Sequence, residues 1–250
     1  MKNKQKNELA VCGFAAVKTL EKQNLQKIKR LYFSKEKAPL FGGLCKKLAS
    51  KKIPYNQVEE NELEKICKSV HHQGVVAMID FPQINSISKE EISEWKKNKE
   101  HTILLDRIGN ANNFGAIIRS AAFFGIKNII IPQDESQSFI TTSSYRVAQG
   151  GMEFVNIYTC KSSVDFIKGY KNQFVIIGTD LQAKKSASEL KNICTNKNAL
   201  IVLGNEENGI SDEVRKSCDE LIIIPAKTCM AHPFSVVNPF RQKIPFQNRS

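Results

Sequence analysis

From Thr102 to Ile224 the chain carries six short, mostly apolar runs: Thr102 to Asp106, Asn128 to Pro132, Phe154 to Thr159, Phe174 to Thr179, Ala199 to Leu203 and Leu221 to Ile224. Runs that stay apolar instead of alternating suit strands buried on both faces. Between them, Asn113 to Phe124, Ser162 to Tyr170 and Ser211 to Ser217 have helical spacing. A helix between successive strands is the crossover that a parallel pair requires. The expected fold class is therefore α/β, with a parallel sheet covered by helices. Ligands of such sheets sit outside the carboxyl ends of the strands, which directs attention to the loops after Asp106, Leu203 and Ile224.

The first 79 residues form a separate, smaller pattern. Helices are expected at Cys12 to Gln23, Leu40 to Ser50 and Glu59 to Ser69, and extended segments at Ile28 to Phe33, Ile53 to Val58 and Val75 to Asp80, the last after a His71-His72-Gln73-Gly74 turn. Residues 81–100 contain a proline, several serines and a charged stretch, and Ser88 with Glu91 fits a helix capping box. This divides the chain into a unit at 1–80, a partly helical linker at 81–100 and a second unit at 101–250.

Composition narrows the setting. With 41% hydrophobic and 25% charged residues the chain is expected to be a soluble globular protein. It has no apolar run of membrane-spanning length and no N-terminal signal pattern, so a cytoplasmic location is expected. The seven cysteines are scattered and never spaced C-x-x-C, against both a disulfide framework and a zinc site. The net charge is +12, of which +9 falls in residues 1–79. A concentrated basic region suits phosphate binding, although a lysine-rich solubilising surface explains the same numbers.

Two loops carry the candidate chemistry. In the first, Asn113-x-Gly115-x-x-x-Arg119, Asn113 is expected to cap a helix. Gly115 and Arg119 are four apart and share a helix face, and the Arg119 side chain leans back over the space that Gly115 leaves empty. A glycine in the first turn costs about 1 kcal/mol relative to alanine, so something is expected to approach the backbone there. In the second, Gly204-x-Glu206-x-x-Gly209-x-Ser211 follows a buried strand and precedes a helix. Its glycines permit close backbone approach, and a carboxylate there can hold an arginine or bind a ligand. The dinucleotide fingerprint G-x-G-x-x-G is absent. His71 and His72 read as turn or RNA-contact residues, Tyr32 and Phe33 as core, and Trp95 as packing the linker helix onto a domain.

Taken in order, these two motifs and Ile224-Pro225 resemble those of the SpoU (TrmH-like) RNA 2'-O-ribose methyltransferases, with Arg146-Val147-Ala148-Gln149-Gly150-Gly151 at the place of that family's small, glycine-containing segment. Residues 102–225 resemble the catalytic domain. The first 79, with Val11-Cys12-Gly13 and His72-Gln73-Gly74-Val75, are similar to the family's N-terminal substrate-binding domain, which is like ribosomal protein L30e. The resemblance implies a trefoil-knotted parallel sheet, a homodimer with sites at the subunit interface, rRNA or tRNA as partner, S-adenosylmethionine as cofactor and no metal. It makes Arg119 the catalytic arginine, with Asn113 and Glu206 shaping the site, and assigns cofactor contacts to Leu203, Gly204, Gly209, Ile224 and Pro225. Because a guanidinium titrates above about 12, Arg119 is expected to orient the ribose hydroxyl and a phosphate.

After Pro225 the chain departs from the family. No glycine follows, His232-Pro233-Phe234 stands where a Ser-Leu-Asn stretch belongs, and Pro233, Pro239 and Pro245 exclude one continuous helix. Ser235 and Asn238 are nearby stand-ins at the wrong spacing. An altered or truncated gene end and a lineage without catalysis both account for this. Two rivals therefore stand beside the methyltransferase: an RNA-binding protein that keeps the fold without a cofactor site, and a small-molecule transferase.

Overall fold

The computed structural model describes residues 7–195 and 197–225; the expectations for the stretch after Pro225 lie outside the described residues. The first unit contains β1 (Glu8–Cys12), α1 (Phe14–Gln23), β2 (Ile28–Phe33), α2 (Ala38–Ser50), β3 (Tyr55–Gln57), α3 (Glu60–Cys67) and β4 (Val75–Asp80). Its sheet has the order β1-β4-β2-β3, antiparallel except for the β2–β3 pair. Helix α1 starts at Phe14 instead of Cys12 because Gly13, at φ 97°, turns the chain out of β1. The third extended segment is shorter than expected, three exposed residues at the sheet edge.

The second sheet has eight parallel strands in the order β10-β12-β9-β11-β6-β7-β8-β5. Along the chain these alternate with helices: β5 (Asn85–Ser86), α4 (Lys89–Asn98), β6 (Thr102–Asp106), α5 (Ala111–Phe123), β7 (Asn128–Pro132), α6 (Thr142–Ala148), β8 (Asn156–Cys160), α7 (Ser163–Tyr170), β9 (Val175–Thr179), β10 (Lys185–Ser186), α8 (Leu190–Ile193), β11 (Ala199–Gly204), α9 (Asp212–Ser217) and β12 (Glu220–Ile223). Every residue of β6 and β7 is buried, as uniformly apolar central strands require. Helix α6 and the short β5, β10 and α8 have too little periodicity to be read from sequence. Phe154 ends a 3-10 turn and not a strand, so β8 begins two residues later than expected.

Residues 81–100 belong to the second sheet. Asn85 and Ser86 pair with Tyr158 and Thr159, and α4 carries the expected capping box, with Glu91 N donating to Ser88 Oγ and Ser88 N to Glu91 Oε2. Trp95 is buried edge-on against Tyr158, 5.2 Å between ring centres.

One hydrophobic cluster runs from Leu9, Val17 and Phe41 beneath the first sheet to Ile103, Ile117 and Tyr145 beneath the second. Polar contacts reinforce this junction. Glu153, whose side chain is 1% exposed, accepts hydrogen bonds from Asn24 Nδ2 at 2.6 Å, Lys27 Nζ at 2.7 Å and Tyr145 OH at 3.2 Å. Thr19 of α1 fills the space that a side chain on Gly150 would occupy. In the first unit Phe33 is buried and Tyr32 half-buried against the α3 side of the sheet, as core residues. His72 is buried with Nδ1 accepting from Gly74 N, and His71 is exposed.

Candidate active site

Four neighbouring strands, β12, β9, β11 and β6, end side by side and present Ile223, Thr179, Gly204 and Asp106. Strands in a sheet lie about 4.8 Å apart, so the row spans a ligand-sized edge. Two connections meet above it: the Arg107–Asn110 turn into α5, and the Asn205–Ile210 turn into α9.

The first turn corrects the expected cap. Asn110, not Asn113, is the N-cap of α5, and its Oδ1 accepts from the amides of Asn112 at 2.8 Å and Asn113 at 3.4 Å. The helix begins two residues early because the Asn110 carboxamide already satisfies those free donors. Asn113 therefore lies inside the first turn, and its side chain points elsewhere: Nδ2 donates to Glu206 Oε1 at 2.7 Å.

Gly115 does have something against its backbone, but it is not Arg119. A Cβ there would lie 2.5 Å from the carbonyl oxygen of Ser144 and 3.0 Å from Val147 Cβ, so the glycine lets α6 close onto α5. Arg119 is exposed, and among the described residues it makes no hydrogen bond or ion pair. It is also not held by Glu206, whose partners are the side-chain amides of Asn113 and Asn205.

The second turn folds back on itself. Asn205 and Gly209 exchange backbone hydrogen bonds at 2.9 Å, and Asn205 Oδ1 accepts from the amides of Glu207 and Asn208. Gly209 has φ +68°, which explains that glycine by backbone conformation. A Cβ on Gly204 would collide with Ile210 N and Gly209 C, so the first glycine of the motif accommodates the loop itself. Asn205 Nδ2 also donates to the Arg107 carbonyl at 3.0 Å and ties the two turns together. Leu203 is half-buried, and Ile224 and Pro225 are exposed just past β12.

Other residues at this edge were not singled out by sequence. Asp106 is buried at the end of β6 and accepts from the amide of Ser211 at 2.8 Å, joining the start of α9 to the central strand. Thr179 Oγ1 donates to the Val202 carbonyl, and Asp180 is ion-paired to Arg215 at 2.6 Å. Leu181, just beyond, is 64% exposed. The signal was their position at the end of an apolar run, the same that drew attention to Leu203 and Ile224. Among the described residues no group of His, Cys, Asp and Glu is placed to hold a metal.

Comparison with known proteins agrees with this geometry. Residues 10–85 match the family described as RNA 2'-O ribose methyltransferase substrate binding. A 23S rRNA (guanosine-2'-O-)-methyltransferase RlmB from Neisseria meningitidis is 31% identical over 221 residues, 88% of this chain and 86% of that protein. RlmB from Acinetobacter baylyi is 30% identical over 178 residues, 69% of each. Among solved structures, an RNA 2'-O ribose methyltransferase superposes with a TM-score of 0.71 at 13% identity, covering 93% of this chain and 84% of that one. The SpoU methyltransferase AviRb from Streptomyces viridochromogenes in complex with AdoMet gives 0.69 at 19% identity, covering 94% and 88%; both likenesses show the shared fold. Residues 100–231, more than half of the chain, match the SpoU rRNA Methylase family, and the chain belongs to that family.

Proposed function

We propose that this chain transfers a methyl group from S-adenosylmethionine to a ribose 2'-hydroxyl of rRNA or tRNA. The observation that carries the reading is the Asn113–Glu206 bond, which joins the two family motifs at the carboxyl edge of the sheet beside an exposed, unpaired arginine. The donor set fits a bent sulfonium nucleoside. Main-chain groups at the ends of β11 and β12 can meet its polar edges, while the exposed Leu181 and Ile224 give an apolar rim. Leu203, Gly204, Gly209, Ile224 and Pro225 would hold the cofactor, which supplies an electrophilic methyl when bound.

The protein's own contribution is placement. Alignment of the hydroxyl with the methyl supplies much of the rate in such a transfer. Arg119, a planar donor with no partner of its own, would orient the hydroxyl and an adjacent phosphate. Asn113 and Glu206 would hold the two turns at the spacing this needs. The basic first unit, residues 1–80, would recruit the RNA, with 81–100 as connection and 101–250 as the methyltransferase unit. Family membership further supports a trefoil-knotted sheet, a homodimer and action in the cytoplasm; among the described residues no helix is long and apolar enough to cross a membrane.

The test is calorimetric titration of S-adenosylmethionine into the full chain, followed by transfer of labelled methyl to unmodified rRNA and tRNA. Saturable binding near one per subunit is expected, with Arg119→Ala lowering turnover by about 10²-fold or more and leaving cofactor affinity unchanged. RNA binding with a steep salt dependence but no methylation of any RNA would establish the non-catalytic rival. If Arg119→Lys kept most of the turnover, a bidentate role for the guanidinium would be ruled out.

A further inference from the structure

Past the candidate site, α5 ends in an exposed aromatic pair. Phe123 is 80% and Phe124 61% exposed, their ring centres 5.1 Å apart at 87°. Phe154, 49% exposed, follows the turn in which Gly151 packs on α5; a Cβ on Gly151 would lie 3.1 Å from Arg119 Cα and 3.4 Å from Ala122 Cβ. Phe123 is four residues beyond Arg119, hence on the same helix face and about 6 Å further along the axis.

The charge around this patch has one sign. Between Arg107 and Gln133 the chain contains Arg107, Arg119 and Lys127 and no aspartate or glutamate. Glu153, the acidic residue next to Phe154 in sequence, is buried and committed to Asn24, Lys27 and Tyr145. Large exposed aromatic patches mark interaction surfaces. Rings interleaved with unpaired cations are complementary to single-stranded nucleic acid, whose bases stack while its phosphates meet the cations. A second copy of this chain, at net charge +12, has less to offer those cations.

We infer that Phe123 is an RNA-contact residue, stacking on an unpaired base beside the nucleotide whose ribose Arg119 addresses. This rests on the function proposed above. It makes the C-terminal turn of α5 part of the substrate site and implies an unpaired base next to the modified nucleotide.

The experiment uses the full chain and fluorescein-labelled single-stranded oligouridylate twelve nucleotides long, with affinity measured by anisotropy across a salt series. Phe123→Ala should weaken binding about 5- to 100-fold, the range for loss of one stacked base, with the slope against salt unchanged because no phosphate contact is lost. Arg119→Ala should flatten that slope by about one. Phe123→Trp should restore affinity, with its indole fluorescence quenched by RNA, whereas Phe123→Leu should not restore it. Wild-type affinity in Phe123→Ala would overturn the inference. So would a change in that variant's sedimentation mass, which would place the ring against a second copy. A wild-type chain that binds neither S-adenosylmethionine nor RNA would instead overturn the proposed function, and this inference with it.

Discussion

The side-chain amide of Asn113 donates to Glu206 across 2.7 Å and joins residues 93 positions apart. Glu206→Ala leaves a half-buried donor unmet and frees the second turn. A loss of about 1–3 kcal/mol is expected in urea unfolding, together with a fall in methyl transfer. Glu206→Gln, whose carbonyl can still accept from Asn113, should retain most of the stability. The double variant Asn113→Ala/Glu206→Ala tests whether the two act as a unit: its loss should fall short of the sum of the single losses by about 0.5 kcal/mol or more.

Glu153 clasps the two units, with Asn24 and Lys27 on one side and Tyr145 on the other. Glu153→Ala removes the common acceptor of three donors, and about 2–3 kcal/mol of stability should go with it. If the first unit recruits RNA as proposed, the same variant raises KM for RNA while calorimetry finds S-adenosylmethionine affinity unchanged.

Gly115→Ala should act against helix propensity. Alanine in a helix is ordinarily worth about 1 kcal/mol over glycine, yet here its Cβ meets the Ser144 carbonyl oxygen at 2.5 Å. Backbone on both sides has little freedom to yield, so a net loss of about 1–3 kcal/mol is expected. Gly43→Ala in α2 has nothing within 4 Å and should gain up to about 1 kcal/mol. Urea unfolding of the two variants separates these signs.

Stability should fall at alkaline pH. Burial pushes the thiols of Cys12, Cys160 and Cys218 up to about 12 from an ordinary 9.0, helped by Cys67 beside Cys12, Asp165 and Asp106 near Cys160, and Asp219 near Cys218. The folded state then holds protons that the unfolded chain releases. Stability is full below about pH 9 and declines as pH rises toward 12. Urea midpoints should hold steady from pH 7 to 8.5 and drop above 9, and replacing the three cysteines by alanine should flatten the early part of that drop. Tyr158, also pushed up to about 12 by burial and by Glu91, steepens the fall above pH 10.

The sequence by itself determined the parallel-sheet class, most strands and long helices of both units, and the order of the two motif loops. These are written in local patterns: uniformly apolar runs, helical spacing, the Ser88–Glu91 capping box and glycines after strands. Tertiary structure decided what those residues do for one another. Three asparagines compete at the start of α5, and only the placement of Glu206 beside Asn113 separates the one that caps from the one that bridges. Gly115 and Gly204 look like openings for a ligand in sequence, yet they accommodate α6 and the chain's own returning loop. Residues 81–100 read as a linker but supply a strand and a helix to the second sheet. The clasp on Glu153 joins side chains 129 and 126 positions apart. Such pairings depend on which surfaces meet when hydrophobic faces are buried together, a property of the packed whole that no window of neighbouring residues contains.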